Sequence, residues 1–193
     1  MLLSAEIRLF WLHTNPADLE AWFMDASIHG GPANGPENRT DIYLPDPQQT
    51  ELGIKIRGEN PGVEVKGLIA KPAGTIAFGG YEIPIEMWSK WSSEALLFDT
   101  KWGTELHKTR WLRRFDIASD HGCNVEWTIV RTSTGVTHWT LGFEAFGPLH
   151  KIEEILRSTV RRMNDRHSPP APGAQIFSYP AYLAAARQSN PPH

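Results

Sequence analysis

A single cysteine in 193 residues, Cys123, leaves no partner for an intrachain disulfide and fits a reducing compartment. No nucleophile motif surrounds Cys123, so its expected role is that of a small packed residue. No window approaches the roughly 18 apolar residues that a membrane-spanning helix needs. The start, MLLSAEIRLFWLHTNP, lacks a basic segment followed by a long apolar run and a cleavage site, so it does not read as a secretion signal. A cytoplasmic protein with no membrane association is the expectation. Charge of one sign is also missing. A formal net charge of -3 and a pI near 6.2 argue against general nucleic-acid binding. His107, His121 and His138 lack a ligand spacing such as HxxxH, and no internal repeat is visible. What remains, 40% hydrophobic and 21% charged, is the composition of an ordinary globular domain large enough for a proper core.

Within that ordinary composition, charged residues recur two positions apart inside short apolar runs. Examples are Glu6/Arg8 in SAEIRLF, Lys55/Arg57 in LGIKIRG, Glu64/Lys66 in VEVKGLI and Lys108/Arg110 in LHKTRWL, with single acids at Glu126 in NVEWTIV and Glu144 in LGFEAFG. Side chains alternate faces along a strand, so each pair lies on one face while Ile, Val or Leu hold the other. A solvated outer sheet face produces this pattern, and so does the lining of a shared cavity.

Strands are expected over 2–11, 39–45, 51–58, 62–69, 103–115, 122–131 and 136–145, with a less defined region over 74–86. Pro16 to Met24 reads as a helix opened by proline, and His29 to Arg39, HGGPANGPENR, as a loop. WSKWSSEALLF, from Trp88, is ambiguous, and Ser92 to Leu97 could form a short helix. Leu149, Ile152, Leu156, Val160 and Met163 recur at three and four, which predicts an amphipathic helix ending in Arg161-Arg162. Residues 1–166 form the expected main domain; 167–193 read as a Pro-rich linker with a short C-terminal helix from Tyr179 to Arg187 that docks weakly or frays. These elements make an antiparallel α+β domain, and the strand count alone does not decide closure into a barrel.

A closed barrel would gather Glu6, Arg8, Lys55, Arg57, Glu64, Lys66, Lys108, Arg110, Glu126 and Glu144 on its inward parity, and the 149–163 helix would cover part of the apolar outside. Mixed charges of this kind suit a polyphosphate together with a divalent cation. In their order along the chain, the N-terminal charged strand, DIYLPD, IKIRG, VEVKG, KTRWLRRF, VEWT and GFEAFG resemble the CYTH or triphosphate tunnel metalloenzyme superfamily over residues 4 to 165. The resemblance implies an eight-stranded antiparallel β-barrel with flanking helices, and a metal-dependent phosphohydrolase acting on inorganic tripolyphosphate or an organic triphosphate. The alternative is a non-catalytic tunnel that binds phosphorylated ligands. By position, Lys55, Arg57, Lys66, Lys108 and Arg110 would bind substrate, Glu6 and Arg8 would be catalytic, and Glu6, Glu126 and Glu144 would hold Mg²⁺ or Mn²⁺. The chain departs from the family at its first strand, where ExExK is replaced by Ser4, Glu6 and Arg8. An arginine still holds phosphate, whereas loss of a carboxylate weakens a metal site.

Overall fold

The structure, a computed structural model, describes residues 2–29, 32–44, 49–57, 60–70, 74–96, 99–165 and 169–189. The first half contains β1 (Leu2–Trp11), α1 (Ala17–Met24), α2 (Ala26–His29), β2 (Asn34–Leu44), β3 (Leu52–Arg57) and β4 (Asn60–Ala70). It continues through β5 (Thr75–Phe78), β6 (Tyr81–Pro84) and β7 (Glu86–Ser93). A single 3-10 turn (Thr100–Trp102) leads to β8 (Thr104–Ala118), β9 (His121–Thr132) and β10 (Thr137–Phe146). The chain finishes with α3 (Leu149–Asn164), a two-residue β11 (Gln175–Ile176) and α4 (Tyr179–Ser189).

Eight of these strands close into an antiparallel barrel in the order β10-β9-β8-β2-β3-β4-β7-β1, and β1 pairs back onto β10 from Ser4↔Phe146 to Trp11↔Trp139. Closure removes both sheet edges and gives every strand an inside and an outside. The hydrophobic core lies outside the barrel wall. Ala5, Ile7, Leu9 and Trp11 of β1, Val125 and Trp127 of β9, and Leu141 and Phe143 of β10 are packed beneath the helices and the β5–β6 hairpin. Helix α3 buries Ile152, Ile155, Leu156, Val160 and Met163 in this layer, each worth about 1.5–3 kcal/mol relative to exposure. Leu44, Leu52, Ile69 and Trp91, on β2, β3, β4 and β7, stay exposed because α3 packs against β10, β1 and β9 instead.

Several boundaries differ from the sequence expectation. Residues 34–39 are not loop: β2 starts at Asn34, because its pairing with β8 continues past a bulge between Asn34 and Glu37. The 74–86 region is a separate hairpin followed by β7, and no helix forms at Ser92, since β7 runs to Ser93 against β4. Cross-strand pairing overrides the weak helix propensity of a serine-rich segment. Residues 30–31 of the expected loop, 45 and 58 at the ends of expected strands, 97 of the expected short helix and 166–168 at the expected domain boundary lie outside the described residues. Arg113 and Arg114 of β8 separate by parity. Arg114 is exposed, while Arg113 turns outward and donates to the carbonyls of Phe23 (2.8 Å) and Asp25 (3.3 Å) at the end of α1. Arg113→Met is expected to cost about 1–3 kcal/mol, read as a lower urea midpoint at unchanged slope.

Candidate functional site

All nine residues expected from sequence to bind substrate, hold metal or act in catalysis line one cavity of about 300 Å³ inside the barrel. The charged parity therefore faces inward, and the reading of an open, solvated charged sheet does not hold. Eight basic side chains border the cavity: Arg8, Arg39, Lys55, Arg57, Lys66, Lys90, Lys108 and Arg110. Acids meet them at every level. The register explains which ones pair.

Glu6 lies opposite Glu86 of β7 on one side and opposite Glu144 of β10 on the other, so three carboxylates stand side by side on adjacent strands. Lys66 bonds to the Glu6 carboxylate, and Ser4 donates to it at 2.6 Å. Burial works to raise the Glu6 pKa, but Lys66, Ser4 and Arg8 outweigh it and hold the carboxyl below its ordinary range. Burial and the neighbouring Glu6 charge push Glu144 upward instead. Glu86 rises mainly through burial, although Trp88 Nε1 donates to it at 3.1 Å.

One level further in, Arg8 lies opposite Gly142, which in turn lies opposite Glu126. Arg8 reaches across to Glu126 at 2.6 Å, and a Cβ at position 142 would stand 2.5–2.7 Å from the guanidinium. Glycine clears that path. Glu126 also meets Arg110 at 3.4 Å; although burial alone would raise its pKa, Arg8, Arg110 and Arg39 hold it far below the usual carboxylate range.

The deepest cluster centres on Asp41, which has 0% exposure. Lys108 (2.9 Å) and Lys55 (3.1 Å) converge on Oδ2, and Arg39 Nε approaches Oδ1 at 3.4 Å. Lys108 also donates to the Tyr43 hydroxyl at 2.7 Å. Burial presses both lysines toward the neutral form, Lys55 to about 8 and Lys108 well below the ordinary lysine value, despite Asp41. Asp41 itself is held far down by the surrounding cations, against the effect of burial. Glu64 meets Arg57 (3.1 Å), Lys90 (3.3 Å) and Lys55 (3.6 Å).

Helix α4 closes this deep end. Far from fraying over its described length, it buries Tyr182, Leu183 and Ala184, and Tyr182 stacks on Phe10 of β1 with ring centroids 4.7 Å apart. Ser178 caps the helix by accepting from the Ala181 N–H at 3.3 Å. Tyr179, in the first turn, enters the barrel and sits under two cavity cations, with Lys108 Nζ 3.7 Å and the Arg8 guanidinium 4.8 Å from its ring centre. Gly53 lets Pro180 seat against the wall, since a Cβ there would meet the proline ring at 3.1 Å. Exposure follows this closure: the Lys108 side chain is 1% exposed, whereas Lys66 and Glu144 reach 30% and 33%. Leu2 and Phe146, at the opposite ends of β1 and β10, border the accessible mouth.

The expected metal ligands Glu6, Glu126 and Glu144 each face a basic side chain. Glu6 and Glu144 are adjacent and offer hard oxygen donors, but Glu6 is engaged by Lys66 and Glu126 by Arg8 and Arg110. No group of three or more His, Cys, Asp or Glu able to hold a metal ion occurs among the described residues. Sequence reasoning missed Arg39, Asp41, Glu86 and Lys90. The signal was present in RTDIY and EMWSK, where residues 39, 41 and 43 and residues 86, 88 and 90 alternate in the same period as the recognised pairs. Asp41 lies within DIYLPD, and Glu86 and Lys90 lie in segments whose proline, serine and tryptophan obscure the strand pattern.

Among the described residues no helix is long and apolar enough to cross a membrane. No protein-family model matches the chain, and no curated protein matches it. Among solved structures it is similar to the Mimivirus capping enzyme triphosphatase, at 12% identity and a TM-score of 0.45, over 83% of this chain and 90% of that one. The barrel assignment rests on the chain's own strand pairings, from β1–β7 around to β1–β10.

Proposed function

We propose that the cavity binds a triphosphate group, inorganic or carried by an organic molecule, as a divergent barrel of the triphosphate tunnel type. The observation that carries this reading is the convergence of eight basic side chains, from six of the eight barrel strands, on one enclosed volume. Guanidinium forks and ammonium groups in a low-dielectric cavity favour phosphate oxygens far more than they would at a surface. The acids that neutralise them would be exchanged rather than lost, because a phosphate oxygen can take the place of a carboxylate oxygen on Lys66 or Arg57.

Tripolyphosphate at low ionic strength is expected to raise the melting temperature. At 100 times its dissociation constant it would add about 2.7 kcal/mol. The gain would shrink as salt screens the mouth. A flat thermal-shift titration at low salt would sink the reading.

A second reading is phosphohydrolysis supported by Mg²⁺ or Mn²⁺, in which Glu6 and Glu144, adjacent in register, would offer oxygen ligands once Lys66 is drawn onto phosphate. Burial chiefly, and the Glu6 charge in addition, raise the pKa of Glu86 and Glu144. The basic side chains would then stabilise charge on the phosphate oxygens during transfer. Phosphate release from tripolyphosphate, assayed with and without each metal, separates hydrolysis from binding alone.

A further inference from the structure

We propose that Tyr179, carried into the barrel by α4, is the floor of the ligand site and sets how many phosphates of an end-on polyphosphate the cavity accepts. This inference rests on the triphosphate-binding reading. Its physical basis is that the barrel is blind. Phe10, Tyr43, Leu106, Val130, Tyr182 and Leu183 form a second apolar cluster across its interior, so nothing threads through. Tyr179 lies between that cluster and the charged cavity, packed against Phe10 at 5.3 Å and stacked on Tyr43 at 5.9 Å between ring centres. Its ring lies against two cavity cations, Arg8 at 4.8 Å and Lys108 at 3.7 Å from the ring centre, and so fills space beneath them that a phosphate would need.

Two consequences follow from a floor at this position. A ligand enters with its terminal phosphate first, past Leu2 and Phe146, and any organic group stays at the mouth beside the Trp88 wall. The site therefore selects a free phosphate terminus. The number of phosphates that contact protein is the depth from the mouth to Tyr179, and a longer chain gains nothing by projecting into solvent. Tyr179 is thus a specificity-determining residue supplied by an element outside the eight barrel strands.

The test is calorimetric titration of pyrophosphate, tripolyphosphate and tetrapolyphosphate, and of a triphosphate esterified at both ends, into wild type, Tyr179→Phe, Tyr179→Ala and Tyr179→Leu. In the wild type, affinity rises with chain length and then levels off, while the doubly esterified triphosphate does not saturate the protein. Tyr179→Phe keeps that plateau. Tyr179→Ala moves it by one phosphate and gains about tenfold for the next longer chain, the yield of one charge-assisted contact. Should the alanine variant lose its fold by circular dichroism, Tyr179→Leu, which keeps an apolar side chain on Phe10 with less depth filled, gives the same comparison. An unmoved plateau in the folded small variant, or saturable binding of the doubly esterified ligand, overturns the inference while leaving triphosphate binding intact. Absence of wild-type binding to every linear chain overturns the underlying reading instead.

Discussion

Asp41→Asn is expected to destabilise the protein by about 3–5 kcal/mol at pH 7, because it removes the one carboxylate on which Lys108, Lys55 and Arg39 converge and leaves them facing each other in the dark end of the barrel. Equilibrium denaturation measures this directly. The pH dependence has a definite sign. Asp41 titrates far below its unfolded value in the folded protein, so its stabilisation is complete above the ordinary carboxylate range and is lost only as pH falls through that range toward the depressed value. The variant lacks this acid limb. Lys55 acts oppositely: its folded pKa is lowered to about 8, so between about 8 and the unfolded lysine value near 10.4 the folded state binds fewer protons than the unfolded state. Stability gains from Lys55 as pH rises through that window, and the gain is larger in Asp41→Asn, where both lysines shed protons more readily. A polyanion offers an additional route to relief. Tripolyphosphate is expected to raise the melting temperature of Asp41→Asn more than that of wild type. Equal stability of the two proteins across pH 5 to 9 would mean that Asp41 does not organise the cluster.

Glu6→Gln carries the second large expectation. In the present arrangement Glu6 neutralises Lys66 and sits between Glu86 and Glu144, so removing its charge takes away the nearer of the two carboxylates on Lys66, leaving Glu144 at 4.0 Å, and relieves two carboxylates at once. Tripolyphosphate affinity is expected to rise about tenfold, roughly 1.4 kcal/mol, a modest fraction of the several kcal/mol that two unit charges 4 Å apart exchange at an effective dielectric constant near 20. Any Mg²⁺- or Mn²⁺-dependent phosphate release is expected to fall sharply in the same variant, since Glu6 is the carboxylate shared by both neighbours. The two readouts move in opposite directions, which separates loss of a cation ligand from general damage to the site. Affinity that falls together with activity would instead place Glu6 in ligand binding. Arg57→Ala provides the counterpart: Arg57 pairs with Glu64 at 3.1 Å at the edge of the cavity, and its removal is expected to weaken tripolyphosphate binding whether or not hydrolysis occurs. Unchanged affinity by the same titration would remove Arg57 from the ligand site.

The site was legible in sequence wherever charges alternated inside a recognised strand. Glu6/Arg8, Lys55/Arg57, Lys108/Arg110, Glu126 and Glu144 all reach the cavity because period-two alternation leaves only one choice, in or out. Glu86 and Lys90 follow the same alternation but sit in IPIEMWSKWSS, where proline, serine and tryptophan obscure the strand. Partnership was not legible. That Arg8 belongs to Glu126 depends on Gly142 lying between them on β10, a neighbour 134 positions away from Arg8 in the chain. The metal set illustrates the limit most clearly, since residue type and order grouped Glu126 with Glu6 and Glu144, whereas register gave Glu126 to two arginines.

By itself the sequence determined the alternation of charged and apolar faces and the amphipathic α3, because each follows from a local period of two or of three and four. Tertiary structure alone decided that the barrel closes, that its hydrophobic core lies outside the wall, which carboxylate meets which cation, and that α4 turns a tunnel into a blind cavity. These outcomes depend on pairings between residues far apart in the chain. Closure joins β1 to β10 between residues 128 to 142 positions apart, and Phe10 stacks on Tyr182 across 172. No local pattern encodes such a distance, since the same alternating strand is satisfied equally by water on an open sheet and by a partner across a closed one.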